Sequence, residues 1–122
     1  MTFIIVEQDP FVRADLKELL RDCFPHEPVC SMETPAEFLT WATKNPLSDL
    51  IVTLISAPIS DVIALHHGLG ALADRVRFVL MDDAPQGAQD SPEPWPFVSR
   101  PFSGDMVINA IKTVISPRPA SR

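Results

Sequence analysis

Short apolar runs alternate with segments of helical periodicity along most of this 122-residue chain. The runs that predict strands are Thr2–Val6, Pro28–Met32, Leu50–Ile55, Val76–Met81 and, more briefly, Trp95–Val98. Most are nearly free of polar residues, which is typical of strands buried on both faces of a parallel sheet. Parallel strands need crossover connections, and here the connections carry helices. The sequence therefore predicts an α/β fold with helices on both faces of one sheet.

Local signals mark where the helices begin. Asp9 precedes a proline, so its carboxylate can cap a helix whose first position suits proline. Thr34 and Glu37 have the spacing of a capping box, in which each side chain satisfies a backbone donor of the other. Ser103 is placed to cap the last helix. Between residues 62 and 72, leucine and valine at helical spacing predict one further helix, loosened by two glycines.

Composition excludes several classes of function. A net charge of −6 at pH 7 opposes nucleic-acid binding, which needs a basic surface. No apolar run approaches the length that spans a bilayer, and the first residues lack the pattern of a secretion signal, so we expect a cytoplasmic protein with no membrane partner. Cys23 and Cys30 lack the spacing of a zinc or redox motif. We expect two reduced thiols, with a redox pair as the alternative.

Three segments carry a resemblance to a known family: residues 4–10 (IIVEQDP), 49–58 (DLIVTLISAP) and 99–102 (SRPF). In this order and at these separations they resemble the receiver domain of bacterial two-component response regulators. The resemblance implies a doubly wound, five-stranded parallel sheet with strand order 2-1-3-4-5. It also implies that residues 1–116 form one receiver-like domain, followed by a flexible tail at 117–122.

The resemblance further implies a phosphorylation site that this sequence has lost. Receivers accept a phosphoryl group on an aspartate that ends the third strand, beside an acidic pair that holds magnesium. A hydroxyl after the fourth strand and a lysine before a proline contact the phosphate. The matching positions here are Leu54 for the acceptor, Glu7 and Gln8 for the acidic pair, Asp82 for the hydroxyl and Arg100 for the lysine. Because leucine offers neither a nucleophile nor an oxygen ligand, we expect no phosphorylation, no magnesium and no other cofactor.

Two interpretations of the remaining polar residues stay open. In the first, Arg100 forms a charge-assisted hydrogen bond with Glu7 or Asp82 and locks the degenerate pocket. In the second, Glu7, Asp9, Asp82 and Asp83 gather a cation at the carboxyl ends of the strands.

Other candidate residues have weaker support in the sequence. Thr53 or Ser56 is a conceivable substitute acceptor, although a hydroxyl near a strand end is more often satisfied by the backbone. His66 and His67 are adjacent on a helix and point about 100° apart, so they do not converge on one metal ion. We expect them to lie at the surface or at the boundary of the core.

The segment at residues 82–94 departs from the family in shape. It contains three prolines and one glycine but no large apolar residue, so it cannot bury a helix face. We expect the family's fourth helix to be missing or rudimentary. Trp95 and Phe97 would then be partly uncovered and form a candidate protein-interaction surface, for self-association or for a signalling protein. The alternative is that both rings only cover the end of the core.

These residues together predict a non-enzymatic signalling domain that binds a protein without being phosphorylated. One alternative is a working phosphorelay receiver with an unusual acceptor. The other is a small ligand-binding domain or enzyme on the same fold, although no glycine-rich phosphate loop follows the first strand.

Overall fold

The computed structural model describes residues 1–45, 49–81, 95–99 and 102–115. Strands and helices alternate along the chain, as the sequence predicts. The strands are β1 Thr2–Val6, β2 Val29–Met32, β3 Ile51–Ile55 and β4 Val76–Leu80. The α-helices are α1 Pro10–Cys23, α2 Pro35–Lys44, α3 Ile59–Leu69 and α4 Gly104–Ile115, with a 3₁₀ helix at Gly70–Arg75.

The four strands form one parallel sheet in the order β2-β1-β3-β4. This is the doubly wound order expected for the first four strands of the fold. In the position of a fifth strand, Phe97 makes a single parallel bridge to Leu80. The Leu80 N–H donates to the Pro96 carbonyl at 2.9 Å, and the Val98 N–H donates to the Leu80 carbonyl at 2.8 Å. Pro96 has no N–H to donate, so the ladder does not extend into a full strand here.

Alternating side chains divide the core between the two faces of the sheet. From β1, Phe3 and Ile5 pack on one face with residues of α1 and α4. Ile4 and Val6 point to the other face and pack with residues of α2 and α3. Because every strand is covered on both faces, the near-continuous apolar runs of the sequence are explained.

The predicted helix starts are confirmed in their capping contacts. Asp9 accepts a hydrogen bond from the Phe11 N–H at 2.9 Å. Thr34 accepts one from the Glu37 N–H at 3.2 Å. The Glu37 carboxylate reaches one residue further back than a capping box requires and accepts from the Glu33 N–H at 3.3 Å. Ser103 accepts from the Met106 N–H at 3.3 Å and caps α4.

One helix end differs from the prediction. The periodicity extends to Leu72, but α3 ends at Leu69. Gly70 follows with φ of 57°, a left-handed conformation that ends a helix and suits glycine. Leu72 therefore lies in the 3₁₀ helix that leads into β4. The predicted loss of the family's fourth helix, at residues 82–94, and the predicted tail at 117–122 lie outside the described residues.

Candidate functional site

The carboxyl ends of β1, β3 and β4 meet at one edge of the sheet. Backbone hydrogen bonds hold this edge together: the Ser56 N–H donates to the Val6 carbonyl, and the Met81 N–H to the Ile55 carbonyl, both at 2.9 Å. The Glu7 N–H donates to the Met32 carbonyl at 3.0 Å. In open parallel sheets this edge is where ligands and reactive groups are placed.

Leu54 lies just inside this edge and is fully buried. In the sheet its neighbours are Ile5 on β1 and Val79 on β4. Its side chain belongs to the core cluster on the α1 and α4 face, together with Met81 and Val98. The position that corresponds to a phosphate acceptor is therefore filled by hydrocarbon and surrounded by hydrocarbon.

Glu7 is the buried carboxylate of the site. It is 5% exposed, and its Oε2 accepts a hydrogen bond from the Gln8 N–H at 3.0 Å. The Glu7 carbonyl accepts another from the Arg13 guanidinium at 2.9 Å. Arg13 also lies 3.8 Å from a carboxylate oxygen of Glu33, so it ties the end of β1 to the segment after β2. Gln8 itself is exposed.

The structure describes one of the other predicted pocket residues, Asp9, and leaves three of them outside the described ranges. Asp9 is exposed and uses its carboxylate to cap α1. Asp82, Asp83 and Arg100 lie outside the described residues, so both the Arg100 hydrogen bond and the cation site remain predictions. Within the described ranges, no group of three or more potential metal ligands comes together.

The two candidate substitute acceptors have different environments. Thr53 is fully buried between Ile4 and Phe78, on the opposite face of the sheet from Leu54. Its hydroxyl has no hydrogen-bond partner in the part of the chain that the structure describes. Ser56 lies beyond the end of β3 and is half-buried. Of the two residues, only Ser56 is partly exposed to solvent.

The two aromatic residues of the candidate interaction surface also differ. Trp95 is only 8% exposed and packs in the core on the α2 and α3 face. Its ring lies 5.2 Å from that of Phe78 and 5.6 Å from that of His66, measured between centroids. Phe97 remains on the surface, 45% exposed. The expectation that both rings are uncovered is therefore wrong for Trp95, because Phe78 and α3 enclose it.

Three features were not foreseen from the sequence. Arg13 contacts the backbone of Glu7, and its place on the inner side of α1 is the only signal for this. Phe11 is 81% exposed at the start of α1. The helical pattern of the sequence does not indicate which residue, if any, such an aromatic side chain would contact. His66 lies half-buried at the boundary of the core, as expected, but its contact with Trp95 joins distant parts of the chain and has no local signal in the sequence.

Comparisons with known proteins give matches in structure only. No family profile and no curated protein matches the sequence. The fold is similar to that of a LuxR family DNA-binding response regulator from Silicibacter pomeroyi, with a TM-score of 0.71, 20% identity and coverage of 93% of this chain and 90% of the other. It is also similar to the response regulator REC domain of PhyR from Erythrobacter litoralis, with a TM-score of 0.63, 20% identity and coverage of 99% and 95%.

A CheY-like response regulator receiver domain protein from Methanospirillum hungatei gives a TM-score of 0.66 at 17% identity, and 93% of each chain is covered. These likenesses span almost the whole length of both proteins in each pair. At such low identity they establish the architecture and leave the chemistry to be argued from the residues. The chain has the fold of a response-regulator receiver domain.

Proposed function

We propose that this chain is a receiver-type signalling domain that is not phosphorylated, has no enzymatic activity, and acts in the cytoplasm by binding another protein. The observation that carries the proposal is Leu54, a fully buried leucine at the position of the phosphate acceptor. Phosphoryl transfer depends on a nucleophile and on positioned charge around the phosphate, and neither is supplied by this side chain.

The surroundings of Leu54 support the proposal. The carboxylate of Glu7 is directed to the Gln8 N–H. Gln8 places a neutral amide where receivers have a second acidic residue, and Asp9 is engaged at the start of α1. Magnesium needs several oxygen ligands in octahedral geometry, and one buried carboxylate is a poor start for such a site. The retained fold then transmits information through its surface.

The test is incubation with acetyl phosphate and magnesium, followed by intact-mass measurement, with a phosphorylatable receiver treated in parallel. We expect the parallel receiver to gain the mass of one phosphoryl group and this chain to remain unchanged. A stoichiometric adduct on this chain would overturn the proposal. Peptide mapping would then decide for or against Ser56, the accessible hydroxyl at the sheet edge.

A thermal-shift screen with metabolites and nucleotides tests the second alternative, a ligand-binding domain. We expect no compound to raise the melting temperature, because the site described above is filled by side chains. A reproducible, saturable increase would favour ligand binding instead.

Phe97 provides the test of the candidate interaction surface. Because Trp95 is buried, replacing it would confuse loss of binding with loss of folding, so Phe97→Ala is the informative variant. We expect it to keep its melting temperature and to lose a partner that wild-type chain retains in pull-downs. Retention of the same partner by the variant would place the interaction elsewhere.

A further inference from the structure

The outer edge of β2 presents unpaired backbone groups. The Phe3 N–H donates to the Pro28 carbonyl, and the Glu7 N–H donates to the Met32 carbonyl. In a parallel ladder, alternate residues of a strand bond to the same neighbour, so the backbone groups of Val29 and Ser31 point away from β1. Within the described ranges no backbone group bonds to them, and β2 is the last strand on this side of the sheet. Such an edge can accept another extended segment.

The side of α1 beside this edge is basic, although the helix as a whole carries three basic and three acidic residues. Arg13, Lys17 and Arg21 recur every four residues on α1 and therefore lie along one side of the helix. Arg13 and Lys17 line a cleft of about 170 Å³ together with Ser31 of β2, which places this side of the helix next to the strand. Glu33 offsets part of the charge of Arg13, at 3.8 Å.

The acidic residues of α1 lie on a different side of the helix. Asp15, Glu18 and Asp22 are all exposed, and helical spacing rotates them away from the row that begins at Arg13. The charges of α1 are therefore segregated, with the positive side next to β2. In a chain whose net charge is −6, this is a local reversal of sign.

On the other face of the sheet, α2 offers an apolar site near the same edge. Leu39 faces α3, where its side chain approaches Gly68. Trp41 is rotated about 160° from Leu39 around α2. It is partly buried in the same apolar cluster as Cys30 and Met32 of β2. Its ring stacks on Phe38 and lines an open hollow with the aliphatic part of Lys44.

We propose that the outer edge of β2 binds an extended acidic segment of a partner protein, which adds a strand to the sheet. This inference rests on the proposed function and names the surface and the chemistry of its partner. Side chains of an added strand alternate between the two faces. In the bound segment, acidic residues at every second position meet the basic row of α1. The apolar residues between them lie on the other face and meet Trp41.

A second copy of the chain does not fit this edge. Two β2 strands pairing edge to edge in an antiparallel sheet would bring the α1 helices side by side on one face. The basic row of one helix, which begins at Arg13, would then face the same row of the other copy. Like charges in contact oppose association. The charge pattern thus selects an acidic partner over self-association.

The experiment uses the full chain and a short synthetic peptide in which glutamate and valine alternate, with fluorescence anisotropy as the readout. We expect saturable binding that weakens as salt is added, because the contact is electrostatic and exposed. A peptide with lysine in place of glutamate should not bind. In nitrogen-15 NMR spectra the amides of Val29 and Ser31 should shift and exchange more slowly with solvent when the acidic peptide is bound.

The matched variants are Lys17→Glu with Arg21→Glu on α1, and Lys112→Glu on the exposed side of α4. Reversing the two α1 charges should weaken binding by about tenfold, from two lost attractions replaced by repulsions. The α4 variant should bind like the wild-type chain. Equal binding by the α1 variant, no binding by the wild-type chain, or a dimer formed through β2 in sedimentation would each overturn the inference. An acetyl-phosphate adduct would contradict the proposed function while leaving this result intact.

Discussion

Leu54, on β3, and Glu7, directly after the neighbouring strand β1, have opposite environments. Leu54 is enclosed by the apolar cluster on the α1 and α4 face, whereas Glu7 retains a buried carboxylate with a backbone donor. A carboxylate at position 54 would lose its hydration among these apolar neighbours. At this position the end of β3 is therefore an extension of the core.

Replacing Leu54 tests this directly. Leu54→Ala should lower the free energy of unfolding by about 2–5 kcal/mol, the usual cost of a cavity in a packed core. Leu54→Asp should lower it further, because a charged group is buried among hydrocarbon. Urea denaturation at neutral pH measures both variants.

Two results would contradict the apolar environment that we describe. One is an aspartate variant at least as stable as the alanine variant. The other is an aspartate variant that gains phosphate from acetyl phosphate, since this would mean that the rest of the site still works.

The helix starts are features of individual elements that the local sequence alone predicts. Asp9, Thr34 and Ser103 each accept the backbone hydrogen bond that local spacing predicts. Capping involves residues two or three positions apart, so a single sequence contains all the information. The end of α3 was not predicted, because the apolar pattern continues to Leu72 and the left-handed turn at Gly70 interrupts it.

Two substitutions at Asp9, which caps α1, separate the effect of its hydrogen bond from the effect of its negative charge. Asp9→Ala should reduce the free energy of unfolding by about 1 kcal/mol, the typical loss of a capping side chain. Asp9→Asn should be nearly neutral, since asparagine caps as well as aspartate. Thermal and urea denaturation of the two variants provide the comparison. If the asparagine variant were as unstable as the alanine variant, the negative charge and not the hydrogen bond would be the important property.

At the scale of the whole molecule, the two apolar clusters depend on contacts between distant segments. Trp95 packs against Phe78 and His66, which lie on β4 and α3. Its indole N–H is buried and has no hydrogen-bond partner among the described residues. The ring therefore contributes through its apolar surface.

This arrangement predicts different outcomes for two Trp95 variants. Trp95→Ala should destabilise the fold by about 3–5 kcal/mol, because a large ring is removed from the core. Trp95→Phe should cost clearly less, since it keeps an aromatic ring and removes an unsatisfied donor. Differential scanning calorimetry gives the order of stability. Equal losses in both variants would imply that the indole N–H has a partner.

The sequence predicts strands to within one residue at β2, β3 and β4, because apolar runs this short are sharply bounded. It also singles out Leu54, near the end of the third strand, and Glu7, directly after the first, through the family resemblance. It could not foresee that Trp95 would be enclosed while Phe97 stays exposed, since that difference depends on Phe78 and α3. Nor does periodicity reveal that Arg13 would bind the carbonyl of Glu7.

The single bridge between Leu80 and Phe97 has a consequence for local opening of the sheet. Among the described residues, two backbone hydrogen bonds, both to Leu80, hold residues 95–98 to the sheet, whereas β1 and β3 share a full ladder. Detaching these residues breaks few backbone hydrogen bonds but uncovers the buried side chains of Trp95 and Val98. Because so few backbone bonds hold them, their amide protons should exchange with deuterium before those of the central strands. A partner protein bound at this border of the sheet would shift the balance between the attached and the detached state.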